Sequence, residues 1–305
     1  MNPALHIDGL TKSYDGTPAV DGLSFDVRRG EVFGLIGPNG AGKTTTMECA
    51  VGLRTPDRGT IRMLGLDPTQ QGTRLRQRIG VQLQDAALPA RLTVREATDL
   101  FASFYDDPAD PDQLVDAWGL ADKRNTAFAD LSGGQQQRLF ITLALVNEPE
   151  LVVLDEISTG LDPDARRATR DLIRAICDRG TTVILITHFM DEAEALCDRV
   201  AMLVEGRLAA LGPPAQLIEA HAPAARVQFS APVDFDEDTL HALDAVTRVE
   251  RSNGQVTAHG DGALLARVAT TLDEQDITPH DLTHTAATLD DVFSALANPQ
   301  RTDDA

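Results

Sequence analysis

Five short segments carry residue types suited to phosphate chemistry, and they follow one another in a fixed order along the chain. The first is Gly37-Pro38-Asn39-Gly40-Ala41-Gly42-Lys43-Thr44-Thr45. Its glycines let backbone N–H groups turn inward around phosphate oxygens. Lys43 offers a mobile cation to the β and γ phosphates of ATP, and the Thr44 hydroxyl offers an oxygen ligand to Mg²⁺. A helix that starts at Lys43 aims its positive end at the same anion. The second segment, Leu131-Ser132-Gly133-Gly134-Gln135, places two glycines at another helix N-terminus, so the chain holds two candidate phosphate sites. Ser132 and Gln135 also have the spacing of a plain capping box.

The third segment is the apolar run Leu151-Val152-Val153-Leu154 followed by Asp155 and Glu156. A carboxylate at the end of a strand can hold Mg²⁺ through water, which suits Asp155. Glu156 is then placed to polarise or deprotonate an attacking water. The fourth, Ser158-Thr159-Gly160-Leu161-Asp162, ends in an acid before Pro163, and an ordinary N-cap accounts for that acid. The fifth is His188, at the end of the apolar run Thr182–Thr187, where an imidazole could meet a γ-phosphate. Gln84, after Ile79–Leu83, has the chemistry of a neutral ligand for Mg²⁺ or water, with Gln82 a close competitor. Tyr14, before Asp15-Gly16, could stack on an adenine or simply sit exposed in a turn.

The elements that must position these residues alternate in type. Strands are expected at Leu5–Ser13, Leu23–Val27, Glu31–Ile36 and Gly59–Leu64, with a helix over Thr44–Leu53. Helical periodicity dominates Val94–Tyr105, Pro111–Trp118 and Ser132–Val146. Strands Leu151–Asp155, Thr182–Thr187 and Val200–Val204 then alternate with helices Pro163–Asp178 and Asp191–Leu196. That order predicts an α/β fold, a parallel sheet covered by helices, with a helical subdomain at about 85–148. A second, α+β unit is expected over 221–305, beyond Gly212-Pro213-Pro214 and the Ala222-Pro223-Ala224-Ala225 stretch. Strand Arg226–Ser230, helix Asp238–Leu243, strands Val246–Ser252 and Gln255–His259, helix Ala263–Asp273 and strand Ile277–Thr283 give the order β-α-β-β-α-β, which is ferredoxin-like. Asn253-Gly254 marks a hairpin, and helix Leu289–Ala297 closes the unit.

Composition sets the outer limits. The 305 residues carry a formal net charge of −20, and only Lys12, Lys43 and Lys123 are lysines among 27 basic residues. Such acidity opposes general nucleic-acid binding, which needs cations against phosphates. No apolar run reaches the roughly 20 residues of a bilayer span, so a cytoplasmic chain with any membrane role supplied by a separate partner is expected. Cys49, Cys177 and Cys197 have no metal-site spacing and read as reduced thiols. His241, His259, His280 and His284 read as scattered surface residues.

Leu131-Ser132-Gly133-Gly134-Gln135-Gln136-Gln137-Arg138, together with the phosphate loop, resembles the ATP-binding subunit of ABC transporters, over about Leu5–Ala220. The resemblance implies a P-loop NTPase domain over 1–220 and a head-to-tail dimer with a second copy of the chain. Each ATP would lie between the phosphate loop of one copy and Ser132, Gly133, Gly134 and Gln135 of the other. It implies Tyr14 as adenine stacker, Gln84 as the Mg²⁺-linked residue facing a transmembrane permease, and Glu156 as catalytic carboxylate. It also implies Asp162 as the cross-dimer contact and His188 as the γ-phosphate switch. The chain departs from many members in having Ile157, not proline, after the catalytic glutamate. Thr288-Leu289-Asp290-Asp291-Val292-Phe293 is similar to a C-terminal stretch of daunorubicin-resistance type subunits, which serve ABC-2 type exporters of drugs, lipids and other small molecules. That implies a place on the cytoplasmic side of the membrane, held there by the permease. The competing expectation is a soluble ATP-driven switch, and an importer subunit is a third.

Overall fold

In a computed structural model, residues 2–83, 86–221, 225–232, 235–252, 254–260, 263–275, 277–279 and 281–297 are described. The chain divides into two compact units, Met1–Gln216 and Leu217–Ala305.

The first unit holds two sheets. Strands β1 (Leu5–Tyr14), β2 (Thr17–Val27) and β4 (Arg58–Met63) form an antiparallel sheet in the order β2-β1-β4. Strands β3 (Val32–Ile36), β5 (Ile79–Gln82), β6 (Leu151–Asp155), β7 (Thr182–Thr187), β8 (Arg199–Val204) and β9 (Arg207–Gly212) form the second, in the order β5-β6-β7-β3-β8-β9. Its first five strands run parallel and β9 is antiparallel. Every residue of β3, β6 and β7 is buried, as expected where helices and a second sheet cover both faces. β2 instead alternates exposed and buried residues from Leu23 onward, as a strand wetted on one face does. Phe25 of β2 stacks on Phe33 of β3 with ring centroids 5.4 Å apart, joining the two sheets.

Helices α1 (Lys43–Ala50) and α2 (Gly72–Arg76) follow β3 and β4. Between β5 and β6 lie α3 (Val94–Ala102), α4 (Pro111–Ala117) and α5 (Gly133–Ala144). These three share a separate core of Val94, Ala97, Val115, Leu120, Leu131, Leu139 and Leu143. Thr93 and Glu96 form a capping box on α3, and Asp110 with Pro111 starts α4. Helix α6 (Pro163–Asp178) ends where Gly180 turns at φ 89°, α7 (Met190–Leu196) follows β7, and α8 (Pro214–His221) follows β9.

The second unit contains β10 (Ala225–Ser230), α9 (Asp238–His241), β11 (Val246–Ser252), β12 (Gln255–Gly260), α10 (Leu264–Glu274), β13 (Thr283–Thr285) and α11 (Leu289–Ala297). Its sheet runs β11-β12-β10-β13 with every pair antiparallel, the interleaved order of a split β-α-β fold. Val227, Phe229, Val256 and Ala258 face Leu264, Val268 and Leu272 of α10 in one core.

Three strands differ from expectation, and helix α2 has no expected counterpart. β2 begins at Thr17 rather than Leu23; Pro18 is tolerated because β2 is the edge strand, where a missing N–H breaks no ladder. β9 has no counterpart among the expected strands; it forms a hairpin with β8 through Glu205 and Gly206, both at positive φ. The last strand is Thr283–Thr285, not Ile277–Thr283, because Ile277 packs into the core and Pro279 cannot donate to a ladder. The expected Asn253 turn residue, His280, the 222–224 stretch and the tail from 298 lie outside the described residues.

Helix α5 lies so close to β5 that a Cβ on Gly80 would sit 1.8 Å from the Ala144 carbonyl oxygen. Backbone cannot yield cheaply there. Gly80→Ala is expected to destabilise the first unit by about 2–3 kcal/mol or more. Urea unfolding followed by fluorescence of Trp118, the single tryptophan, measures it.

Candidate functional site

Parallel strands bring their C-terminal ends to one edge, and the register fixes how closely. Ile36 pairs with Thr187, and Asp155 pairs with Ile186. The phosphate loop after β3, the acids ending β6 and His188 after β7 therefore meet at a single sheet edge. Two glycines of the loop are enforced by neighbouring backbone. A Cβ on Gly37 would lie 2.4 Å from the Leu203 carbonyl oxygen, and one on Gly42 2.4 Å from that of Ala19. Gly40, at φ 82°, faces open space, and Asn39 beside it is exposed. Ala41 is buried and its N–H donates to Pro38 O at 3.2 Å.

Helix α1 has no side-chain cap and no acid in its first turn, so nothing competes there for an arriving anion. Lys43 is 5% exposed, and its Nζ donates to Gly37 O at 2.8 Å and Pro38 O at 3.0 Å. Burial pushes its ammonium pKa below the ordinary lysine value, while the charges of Glu156 and Asp155 pull it back up. The lysine and both acids are thus electrostatic neighbours. Thr44 is exposed and Thr45 half-buried; Thr46 turns inward and donates to Gly42 O at 2.8 Å.

Asp155 is 1% exposed. Glu156 has φ 48°, a left-handed conformation, and its N–H donates to Ile186 O at 2.9 Å. Its Oε1 lies 3.0 Å from His188 Nδ1. The base and the imidazole implied by sequence are therefore in direct contact. Ile157, next in the chain, is fully buried. The Phe189 ring lies 4.1 Å from that of His188 and carries the Arg166 guanidinium at 4.5 Å on it.

A second cleft, of about 340 Å³, is lined by Ser132, Gly133, Gly134, Gln135 and Arg138 together with Gly160, Leu161, Asp162 and Ala165. No phosphate-loop residue lines it. Ser132 caps α5, its Oγ accepting from Gln135 N at 3.3 Å while Gln135 Oε1 accepts from Ser132 N at 3.0 Å. Asp162 caps α6 by accepting from Asp164 N at 3.0 Å and Ala165 N at 2.9 Å. Tyr14 is 38% exposed at the β1–β2 hairpin, with Arg54 and Lys12 cations 5.4 and 5.8 Å from its ring. Gln84 lies outside the described residues. A hydrogen bond from Ser158 to Glu192, both buried, also lies beside the site; Ser158 opens the fourth segment, but nothing in the sequence singles out Glu192 as its partner.

Mg²⁺ fits these groups. A hydroxyl at Thr44 and a buried carboxylate at Asp155 are hard oxygen donors, and this ion commonly takes few protein ligands and fills its shell with phosphate and water. Among the described residues no group of three His, Cys, Asp or Glu forms a closed metal cage.

A sequence profile of ABC transporters matches residues 20–159. The Nod factor export ATP-binding protein I of Burkholderia pseudomallei (strain 1710b) is 44% identical over 216 residues, covering 69% of this chain and 71% of that protein. This chain belongs to the ABC transporter ATP-binding family. The same-named protein of Rhizobium meliloti is 42% identical over 221 residues, covering 71% of this chain and 66% of its own. Among solved structures, an ATP-binding subunit of an ABC transporter superposes with a TM-score of 0.65 at 29% identity, covering 71% of this chain and 92% of that one. So does cbiO1 of Clostridium perfringens, described as part of the ABC transporter complex cbiONQ, at TM-score 0.65 and 29% identity over 72% of this chain and 92% of its own. The ABC ATP-binding subunit reading thus rests on sequence and fold together. Among the described residues no helix is long and apolar enough to cross a membrane.

Burying Lys43 has a cost that shows in stability. Because its folded pKa lies below the unfolded value, the fold disfavours the charged form at every pH beneath that folded value. The penalty fades only as pH rises through the folded value toward the unfolded one. Lys43→Met at neutral pH is therefore expected to melt no earlier than the parent without nucleotide, yet to lose the stabilisation that added ATP gives the parent. Thermal unfolding of both chains with and without ATP checks this.

Proposed function

We propose that this chain hydrolyses Mg-ATP in a head-to-tail dimer and so powers a separate permease that exports small molecules. The observation that carries the reading is the group at the sheet edge: Lys43 buried on the carbonyls of the phosphate loop within electrostatic reach of Asp155 and Glu156, with Glu156 hydrogen-bonded to His188. In this reading Gly37, Asn39, Gly40, Ala41, Gly42 and Thr45 shape the phosphate cradle. Thr44 and Asp155 hold Mg²⁺, with Gln84 as a further ligand. Mg²⁺ supplies charge neutralisation on the phosphates when bound.

Glu156 takes the proton of the attacking water or polarises it. His188 holds Glu156 in place through Nδ1, leaving Nε2 for the γ-phosphate. Lys43 exchanges two carbonyl partners for phosphate oxygens. Tyr14 stacks on adenine. The second cleft, with Ser132, Gly133, Gly134, Gln135 and Asp162, meets the triphosphate bound to the partner copy. Its location away from the phosphate loop supports completion in trans.

Export is supported by the function for which the relatives are named, Nod factor export. A permease needs an apolar surface to press against. Leu100 and Phe104, 45% and 61% exposed at the end of α3, supply one. The Phe104 carbonyl is held by Gln77 Nε2 at 3.2 Å, which ties that surface to the start of β5. Such coupling would keep the chain at the cytoplasmic face of the membrane.

Glu156→Gln is expected to keep ATP binding and slow turnover by roughly 10²–10⁴. Near-parent turnover would remove Glu156 from its role. The same variant, loaded with Mg-ATP and used to pull partners from detergent-solubilised native membranes, should retain a polytopic membrane protein in stoichiometric, ATP-sensitive amounts. Recovery of soluble partners alone would favour an ATP-driven switch instead. Ser132→Arg should bind ATP as a monomer yet fail to dimerise with it, as read by light scattering; a dimer that still formed would rule out the trans arrangement.

A further inference from the structure

Glu192, in the first turn of α7, is 2% exposed and takes no part in the phosphate chemistry described above. Its Oε1 accepts a hydrogen bond from the Ser158 hydroxyl, and Ser158 is also 2% exposed. Its Oε2 is buried with no hydrogen-bond partner among the described residues. A carboxyl group in that position is costly, so the serine hydroxyl matters more here than a surface contact would.

The two residues sit on elements with different duties. Ser158 opens the loop that ends at Asp162, and Gly160, Leu161 and Asp162 of that loop line the cleft beside Ser132. Glu192 lies one turn beyond His188, the residue bonded to Glu156.

The same seam continues along α6 and α7. Arg166, Arg170 and Arg174 recur at helical spacing and so share one face of α6. Arg166 lies on the Phe189 ring at 4.5 Å. Arg170 Nη2 meets Asp191 Oδ2 at 2.7 Å, and Arg174 Nη2 donates to Ala195 O at 3.3 Å. Helix α6, which Asp162 caps, is therefore clasped to the segment carrying His188 at three successive turns. Ser158–Glu192 closes the end nearest the chemistry.

We propose that Glu192 is a positioning residue that, through Ser158, couples the Ser158–Asp162 loop to His188, so that the two move as one body. The inference rests on the proposed function, in which the loop meets the partner copy and His188 meets the bound nucleotide. A displacement of the loop then reaches Glu156 through a packed, hydrogen-bonded path, and by linkage nucleotide at His188 biases the loop equally.

Steady-state ATP hydrolysis by the full chain tests it. Ser158→Ala should lower kcat about tenfold while KM stays within about twofold. Glu192→Ala should do the same, and the double variant should be no worse than either alone. Glu192→Gln, which keeps an acceptor for the serine, should restore at least half of the parent kcat. A parent-like kcat in Ser158→Ala, a loss confined to KM, or fully additive losses would overturn the proposal. If Ser158→Ala unfolds too early for kinetics, Arg170→Gln opens the outer part of the same clasp and must show the same split; an unchanged kcat in it overturns the proposal. If the parent neither binds nor hydrolyses ATP, the proposed function fails instead. The coupling is then read by amide hydrogen exchange without nucleotide: Ser158→Ala must speed exchange at His188–Ala193, and unchanged exchange there refutes it.

Discussion

The parallel register of β3, β7 and β6 is the constraint on which the site depends. Ile36 opposite Thr187 and Asp155 opposite Ile186 place the loop, the two acids and the histidine on one edge without any contact between distant loops being required. A slip of one residue would turn the side chain of Asp155 to the opposite face of the sheet and break its alignment with the phosphate loop and His188. Burial of every residue in the three strands makes such a slip prohibitive. The site's precision is thus inherited from core packing, and the loops only finish it.

That edge gathers charge that the fold would not choose for stability alone. Lys43 and Asp155 are both buried, and Glu156 adopts a left-handed backbone to stand beside His188. The lysine is spared the full penalty of burial by two carbonyls and by its acidic neighbours. Desolvated charge gathered at one edge is the pattern expected of a reactive site.

The grouping at this edge was legible in the sequence because the phosphate loop, Asp155 and His188 each directly succeed an apolar run. Val32–Ile36, Leu151–Leu154 and Thr182–Thr187 mark buried strands by composition, and the loop after such a strand in an α/β fold lies on the ligand edge. The β-α-β-β-α-β element order of the second unit was likewise legible from alternation, apart from the bounds of its last strand. The features that failed to show were those set by tertiary neighbours. Nothing in Thr17–Gly22 reveals that its proline sits on an edge strand, and Arg207–Gly212 reads as a weak, half-polar stretch until β8 supplies its partner. Ile277 reads as strand but serves as a core contact. The Ser158–Glu192 pair joins two common residue types far apart in sequence, and neither type advertises the other.

Under the proposed dimer, the separation of the Ser132–Asp162 cleft from the phosphate loop has an energetic consequence. The cleft between Ser132 and Asp162 is built from helix caps that are already satisfied within the chain, so it gains little by closing on itself. Under the proposed dimer, only an added polyanion makes closure favourable, and the closed state exists as long as the triphosphate does. A shift from about 1:99 to 99:1 needs roughly 5.5 kcal/mol of preference for the closed form. Charge-assisted contacts from two chains to one triphosphate are of the right size to supply it. Hydrolysis divides that polyanion and removes the preference. The work done on a membrane partner would then come from the difference in nucleotide affinity between open and closed forms, not from any strain held in the chain itself.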